Sequence, residues 1–430
     1  MPFIVITSVG RVDMTTSVWL GLDAYKAEKI VNNLGTDKIY KKKFVSLPQI
    51  DSKMVTIKKV ETKKELKQFI RFNYELYKDN PYSVPDLYED MLNTFSEKNA
   101  AMEFCEAAYF LAYKEDKIVG RVAAIINKKA NKTWNLKNVR FGWIDFVDDE
   151  EVSEALLDAV EAWGKERGMD TIQGPLGFTD MDAEGMLIEG FEELSTMATI
   201  YNYPYYQHHI ERLGFEKDAD WIEMIMTVPK KEGLPERLKK IAEIVMKKYD
   251  LRIKKYTSAK KIAKEYGQEI FSVINEAFKP LFGYSELSQK QIDQYVKMYL
   301  PVLDLKLVSL VTEANGRLVA VGISMPSMSK ALQKAKGKLT PFGWWHLLKA
   351  LKFKKPKTLD LMLVGVLPEY QSKGVNSILF YDLLPIYISE GYDYVETNPE
   401  LEANEKVQQQ WIYFERRQHK RRRCYKKEIK

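Results

Sequence analysis

Polar and apolar positions begin to order themselves at Met54. Met54 to Val60 alternates with a period of two, as a strand does. Thr62 to Tyr77 follows a helical period, with Leu66, Phe69, Ile70, Tyr74 and Tyr77 on one face. Ala107 to Tyr113 and Ile118 to Asn127 predict two strands around the polar turn Lys114 to Lys117. Phe141 to Val147 predicts another strand, and Val152 to Arg167 a helix that Gly168 stops. A short strand from Thr171 to Gly174, a helix ending at Leu213 and a strand from Trp221 to Val228 complete this half.

The order then repeats. A helix is predicted from Leu234 to Lys248, a strand from Arg252 to Tyr256, and further helices to Tyr299. Leu305 to Glu313 and Arg317 to Met325 predict a hairpin around Ala314-Asn315-Gly316. After a basic segment come the strand Leu359 to Val366, a polar loop, a helix to Gly391 and a strand at Tyr394. Two runs of one βα-ββ-βα-βα order predict an α/β protein with mixed sheets, built as tandem domains over 54–230 and 231–430. The linker is expected near Pro229 to Gly233. Residues 1–53 do not share this patterning and have no signal-peptide layout. They are expected to be a loosely ordered extension, or to precede a true start at Met54.

Composition narrows the class. With 430 residues and 45% hydrophobic content, each half can bury a full core. The apolar runs are far shorter than the roughly 18–20 residues of a membrane-spanning helix. Cys105 and Cys424 fall in different halves, which provides no disulfide framework or zinc spacing and predicts a reducing, cytoplasmic setting without a metal. The net charge of +6 conceals segregation: residues 415–430 contribute +7, and residues 314–359 hold ten basic side chains and no carboxylate. Within that segment, Pro341 to Lys355 carries Trp344, Trp345, Leu348 and Leu351 beside Lys349 and Lys352. This suits either an amphipathic lid or peripheral contact with an anionic membrane, at its inner face if in a bacterial cell. Arg416, Arg417 and Arg421 to Arg423 offer basic charge, but no nucleic-acid fold signature accompanies them, so nucleic acid is an unfavoured partner.

Residues 361–379 carry the chemistry. The apolar run Leu361 to Leu367 breaks at Pro368, crosses Gln371-Ser372-Lys373-Gly374-Val375-Asn376, and restarts as an apolar helix. A strand feeding through a glycine turn into a helix leaves backbone N–H groups unpaired beside a positive helix end, which suits a pyrophosphate. Lys373 adds charge, and Gly374 allows close backbone approach. The stretch Val366 to Asn376 resembles the acyl-CoA pyrophosphate loop of the GNAT acyltransferases, Q/R-x-x-G-x-G/A. Gln371 and Gly374 match it, and Asn376 stands where the family usually has Gly or Ala. The resemblance covers most of residues 235–427. It implies two tandem GNAT-like domains and acyl-CoA, acetyl or longer, as co-substrate. The backbone of Val364 to Val366 would then run along the pantetheine and polarise the thioester carbonyl. Where the family often has a Tyr acid for the departing thiolate, this chain has Trp411; Tyr413, Tyr381 or water would replace it.

The first half also resembles a GNAT domain, through Glu211 to Phe215, but its corresponding loop is Asp148-Asp149-Glu150-Glu151. Carboxylates there cap their own helix and repel a diphosphate. That half is therefore expected to serve the acceptor, through Gly174 to Gly185, Ile188 to Phe191 and the Tyr- and His-rich stretch Tyr201 to His209. Asp180, Asp182, Glu189 or a His would take the proton of an amine. The whole-chain arrangement resembles bacterial two-domain GNAT-like proteins, some connected with N-acylation of long-chain sphingoid bases, which implies an N-acyltransferase with a small-molecule or lipid amine acceptor. The alternatives are a catalytically inactive tandem scaffold and a membrane- or RNA-associated binding protein.

Overall fold

A computed structural model of the chain describes residues 54–230 and 235–430. The expectation for residues 1–53 lies outside these, as does most of the linker. The strands are β1 (Thr56–Lys59), β2 (Cys105–Lys114), β3 (Lys117–Asn127), β4 (Asn138–Phe146), β5 (Thr171–Gly174), β6 (Met186–Glu189) and β7 (Glu216–Thr227), then β8 (Leu251–Lys254), β9 (Val308–Glu313), β10 (Leu318–Pro326), β11 (Thr358–Val366), β12 (Tyr394–Thr397), β13 (Glu400–Leu401) and β14 (Arg416–Glu428). They form one continuous mixed sheet in the order β1-β2-β3-β4-β5-β14-β7-β12-β11-β10-β9-β8, with β6 and β13 as side branches.

The two halves are joined by an exchange. β7, the last strand of the first half, pairs with β12 of the second. β14, the last strand of the second half, inserts between β5 and β7. A chain boundary near residue 230 therefore runs through a single sheet. The exchange explains part of the arginine-rich tail: Lys420 and Arg422 are buried by it, while Arg416 and Arg417 stay exposed. Arg422 is fully buried against Glu223 at 2.6 Å, and Arg423 meets Asp220 at 2.8 Å.

Local sequence accounts for the helices. Thr62 and Glu65 form a reciprocal capping box at the start of the helix Lys63–Leu76. Asp149 caps the helix Glu150–Lys165 by accepting from the Glu151 amide at 3.1 Å. Around β10 and β11 the sheet is covered on both faces. A Cβ at Gly365 would lie 2.9 Å from Ile274 of the helix Ala259–Phe278, and one at Gly322 would meet Leu383 and Leu379 of the helix Asn376–Ser389 at 3.5–3.6 Å. That sandwiching explains why β10 reads as an unbroken apolar run and is buried along its whole length.

Candidate functional site

In each half two parallel strands start together and then separate. β11 and β12 are paired from Thr358/Tyr394 to Leu361/Thr397 and diverge beyond. Met362 is an extra residue on β11, which loses register with β10 there and bends. Two side chains border the gap: Asn398 Nδ2 donates to the Met362 carbonyl at 2.8 Å, and Gln371 Nε2 donates to the Val366 carbonyl at 3.1 Å. Because strand residues alternate, Val364 presents its N–H and C=O to the same opening as Val366. Val364 and Val366 both line a cavity of about 1880 Å³. A ligand with spaced amides can add to this edge as an extra strand.

The loop after β11 meets the same cavity through Gln371, Ser372, Gly374 and Asn376. Leu367 to Tyr370 turns tightly, and Ser372 and Gly374 then take left-handed backbone at φ +60° and +80°. No acceptor among the described residues is matched to the amides of Gly374, Val375 or Asn376, which leads into the N-terminus of the helix Asn376–Ser389. The left-handed positions are 372 and 374, so Asn376, already helical, needs no glycine. At Gly374 a side chain would be strained by φ and would crowd Val245 at 3.3 Å. Lys373 sits between Tyr249 and Tyr370, 5.4 Å from each ring centroid, its charge held at the loop by the aromatic faces.

The corresponding gap in the first half is closed. β4 and β5 pair from Asn138/Thr171 to Arg140/Gln173 and then diverge. Two neighbouring tyrosines of the helix Tyr205–Arg212 occupy the edge that is open in the second half. Tyr206 Oη accepts from the Phe146 amide at 3.0 Å, and Tyr205 Oη donates to the Phe146 carbonyl at 2.6 Å. Tyr206 also stacks on the Phe146 ring at 4.1 Å and meets Tyr77 Oη at 2.8 Å. Below them Asp149 holds Lys114 at 2.8 Å. At the acidic turn the Asp149 amide donates to the Val147 carbonyl and the Glu151 amide to Asp149 Oδ1.

Carboxylates dominate the cavity's ionisable lining. Asp180 and Asp182, both expected from the sequence, are there; burial pushes each up to about 6, against the nearby Arg140 charge. Both are tied to backbone: Asp180 accepts from the Ser285 amide and Asp182 from the Thr179 amide, each at 3.0 Å. Glu189 is elsewhere. It is exposed on β6, outside the cavity, and pairs with Arg421 at 3.3 Å. Tyr413 lines the cavity, with the Arg237 guanidinium over its ring at 5.4 Å, whereas Tyr381 packs on the second half's core. His209, of the Tyr- and His-rich stretch, is buried between Ser153 and Asp148, and His208 is exposed.

Glu400 was not foreseen. It lies on β13, three residues past the end of the β11–β12 pairing, and lines the cavity. Both of its oxygens accept from Trp411 Nε1, at 2.9 and 3.0 Å, and Trp411 is buried. Burial pushes the Glu400 carboxyl up to about 7, with the Trp411 bond opposing. An indole donates and never accepts, so Trp411 aims this carboxylate and favours its ionised form, while burial keeps it basic. The signal available in the sequence was Trp411 itself.

One cluster has metal-ligand composition. Donor atoms of Glu223, Glu396 and His419, all buried, lie within 4.8 Å of one another. The Lys420 ammonium contacts both carboxylates, and Arg422 holds Glu223, so two cations already match the two anions. Asp360 nearby is pushed up to about 8 by burial and the Glu396 charge, and His419 down to about 4 by burial and Lys420.

No family model matches the sequence. Two curated proteins are similar over most of their length. "Protein YghO" of Escherichia coli K12 is 28% identical over 85% of this chain and 94% of its own. "Bacterial ceramide synthase" of Caulobacter vibrioides is 27% identical over 80% of this chain and 90% of its own. Among solved structures, a "tandem GNAT protein from the clavulanic acid biosynthesis pathway" aligns with TM-score 0.50 and 10% identity, across 87% of this chain and 99% of its own. The fold is the tandem GNAT fold.

Proposed function

We propose that the chain is an N-acyltransferase that moves an acyl group from acyl-CoA to an amine bound in the cavity between its halves. The observation that carries this reading is the asymmetry of the gaps: the second half has an open strand edge and amides without acceptors beside Lys373, whereas in the first half two tyrosines close the edge and carboxylates crowd the helix start. The Gln371–Asn376 loop grips the pyrophosphate of the co-substrate, and Val364 and Val366 carry the pantetheine amides. Lys373 contributes charge from between its two rings.

A cavity carboxylate first takes one proton from the bound ammonium, and the lone pair so freed attacks the thioester carbonyl carbon. The C–N bond forms, the C–S bond breaks, and the amine proton passes to a carboxylate. Glu400 is our choice of acceptor, because it lies just past the point where β11 and β12 part and burial pushes its carboxyl up to about 7. The coenzyme leaves as a thiolate, and Tyr413 or water supplies its proton. A strand amide near Val366 polarises the carbonyl during attack.

The acceptor is read as a cationic amine with a long apolar tail, such as a sphingoid base. Two features support this: the acidic lining of the cavity, and the similarity to a relative named as a ceramide synthase. A volume of about 1880 Å³ exceeds the roughly 300–1,000 Å³ of ordinary small-molecule pockets and leaves space for two extended ligands. Among the described residues no helix is long and apolar enough to cross a membrane.

Thermal shift with CoA, acetyl-CoA and palmitoyl-CoA tests the reading on the full chain and on Gly374→Asp. Stabilisation of the parent chain that is lost in the variant supports it. Equal stabilisation of both means the carrier binds elsewhere, and none in the parent leaves an inactive scaffold.

A further inference from the structure

The second half carries a surface that the acyl-transfer site does not use. Between β10 and β11 the chain forms the helix Ser329–Ala335, turns, and forms a second helix, Gly343–Leu348, which continues to Phe353. The inner side of this pair is apolar. Leu332, Leu347 and Leu351 line the cavity with Met325, Met328 and Leu303, none of which carries charge. This arm is the apolar end of the same cavity whose other walls hold the carboxylates.

The outer side is unlike an ordinary soluble surface. Phe342 is 73% exposed, Phe353 70%, Trp344 50% and Trp345 45%. Trp345 contacts both Trp344 and Phe353, with ring centroids 5.8–5.9 Å apart, so the aromatics form one cluster. Leu347 and Leu351 line the cavity, while the indoles of Trp344 and Trp345 stay outside it. Lys330, Lys334, Lys336 and Lys338 are exposed around the first helix, and Lys349, Lys352 and Lys354 along the second. None has a carboxylate partner among the described residues, and residues 314–359 contain no carboxylate at all. Unneutralised lysines around exposed Trp and Phe match the headgroup layer of an anionic bilayer, where rings enter the interface and ammonium groups meet phosphates.

We propose that the helix pair 329–353 seats on an anionic phospholipid bilayer and passes the hydrocarbon tail of a membrane-borne amine directly into the apolar arm beneath it. The aromatics sit at the headgroup level, the lysines hold the face down, and the tail slides past Leu347 and Leu351 without crossing water. The amine end then points along the cavity toward the carboxylates. This rests on the acyl-transfer reading for what becomes of the lipid, but not for the bilayer contact.

Vesicle co-sedimentation with the full chain tests it, using phosphatidylcholine alone and phosphatidylcholine mixed equally with phosphatidylglycerol. The chain should bind the mixed vesicles at least tenfold better, and the preference should fade with added salt. Lys334→Glu/Lys349→Glu/Lys352→Glu and, separately, Trp344→Ser/Trp345→Ser should each lower that binding about tenfold while leaving the CoA thermal shift unchanged. Met328→Trp, which fills the arm, should keep vesicle binding and abolish the thermal shift given by hexadecylamine. Equal binding to both vesicles, binding indifferent to the surface variants, or tighter binding to RNA than to mixed vesicles overturns the proposal. A chain that shifts with CoA but ignores anionic vesicles refutes this inference and spares the acyl-transfer reading. One that binds vesicles through these residues but ignores CoA does the reverse.

Discussion

Each half splays a pair of parallel strands, yet only one leaves the gap usable. In the first, Tyr205 and Tyr206 satisfy the Phe146 carbonyl and amide, and Asp149 caps its own helix. In the second, Val364 faces an opening, and the amides of Gly374, Val375 and Asn376 have no acceptor among the described residues. Buried backbone groups must be paired, so an edge that its own side chains do not complete is one a ligand completes. The lesson is that a repeated fold does not imply a repeated site: two tyrosines and one acidic turn close in the first half an edge that stays open in the second.

The largest effect should come from removing the contrast at its open end. Gly374→Asp forces a side chain into left-handed backbone and sets a carboxylate among the free amides, so acyl-CoA binding by calorimetry should fall at least ~100-fold. Next is Glu400→Gln, which keeps an acceptor for Trp411 but removes the base. Turnover should drop roughly 10²–10⁴-fold with little change in acyl-CoA affinity, and the rise in rate as pH passes about 7 should vanish.

The same variant has a stability signature of opposite sense. The folded carboxyl lies above its ordinary range, so its favourable contribution is complete below pH ~4.5 and is lost as pH rises through about 7. Glu400→Gln should therefore unfold later than the parent at pH 8, by up to roughly 3 kcal/mol, and about equally at pH 4 in denaturant titrations.

Closing the comparison from its other end, Tyr206→Phe leaves the buried Phe146 amide unpaired. It should cost about 1–3 kcal/mol of stability and leave acyl-CoA binding untouched. Smallest is Lys373→Ala, which loses one cation held over two exposed-edge rings. Affinity should fall only about 2–5-fold, as expected for roughly 0.5–1 kcal/mol.

Much of the fold could be read from periodicity, because most strands have one buried face and most helices one apolar stripe. Thr171–Gly174 matches the expected bounds, and the helix Lys63–Leu76 begins one residue after Thr62 because Thr62 is its cap. The strand exchange was not legible. Arg416–Glu428 looks like a solvated basic tail, and only pairing with β5 and β7 reveals that Arg422 and Lys420 are buried ions with buried partners. Long-range pairing leaves no local period to read. In the candidate site, the loop from Gln371 to Asn376 was legible because a strand, a glycine and a helix follow one another in sequence. Glu400 was not, since its significance depends on Trp411 and on a cavity built by both halves. The Tyr-rich stretch promised acceptor walls; Tyr201 and Tyr206 do line the cavity, while Tyr205 and Tyr206 together complete β4.

Isothermal titration of the full chain with CoA tests the central contrast most directly. One site per chain is predicted, lost in Gly374→Asp and retained in Tyr206→Phe. Two sites per chain, or heat unchanged by Gly374→Asp, would contradict it.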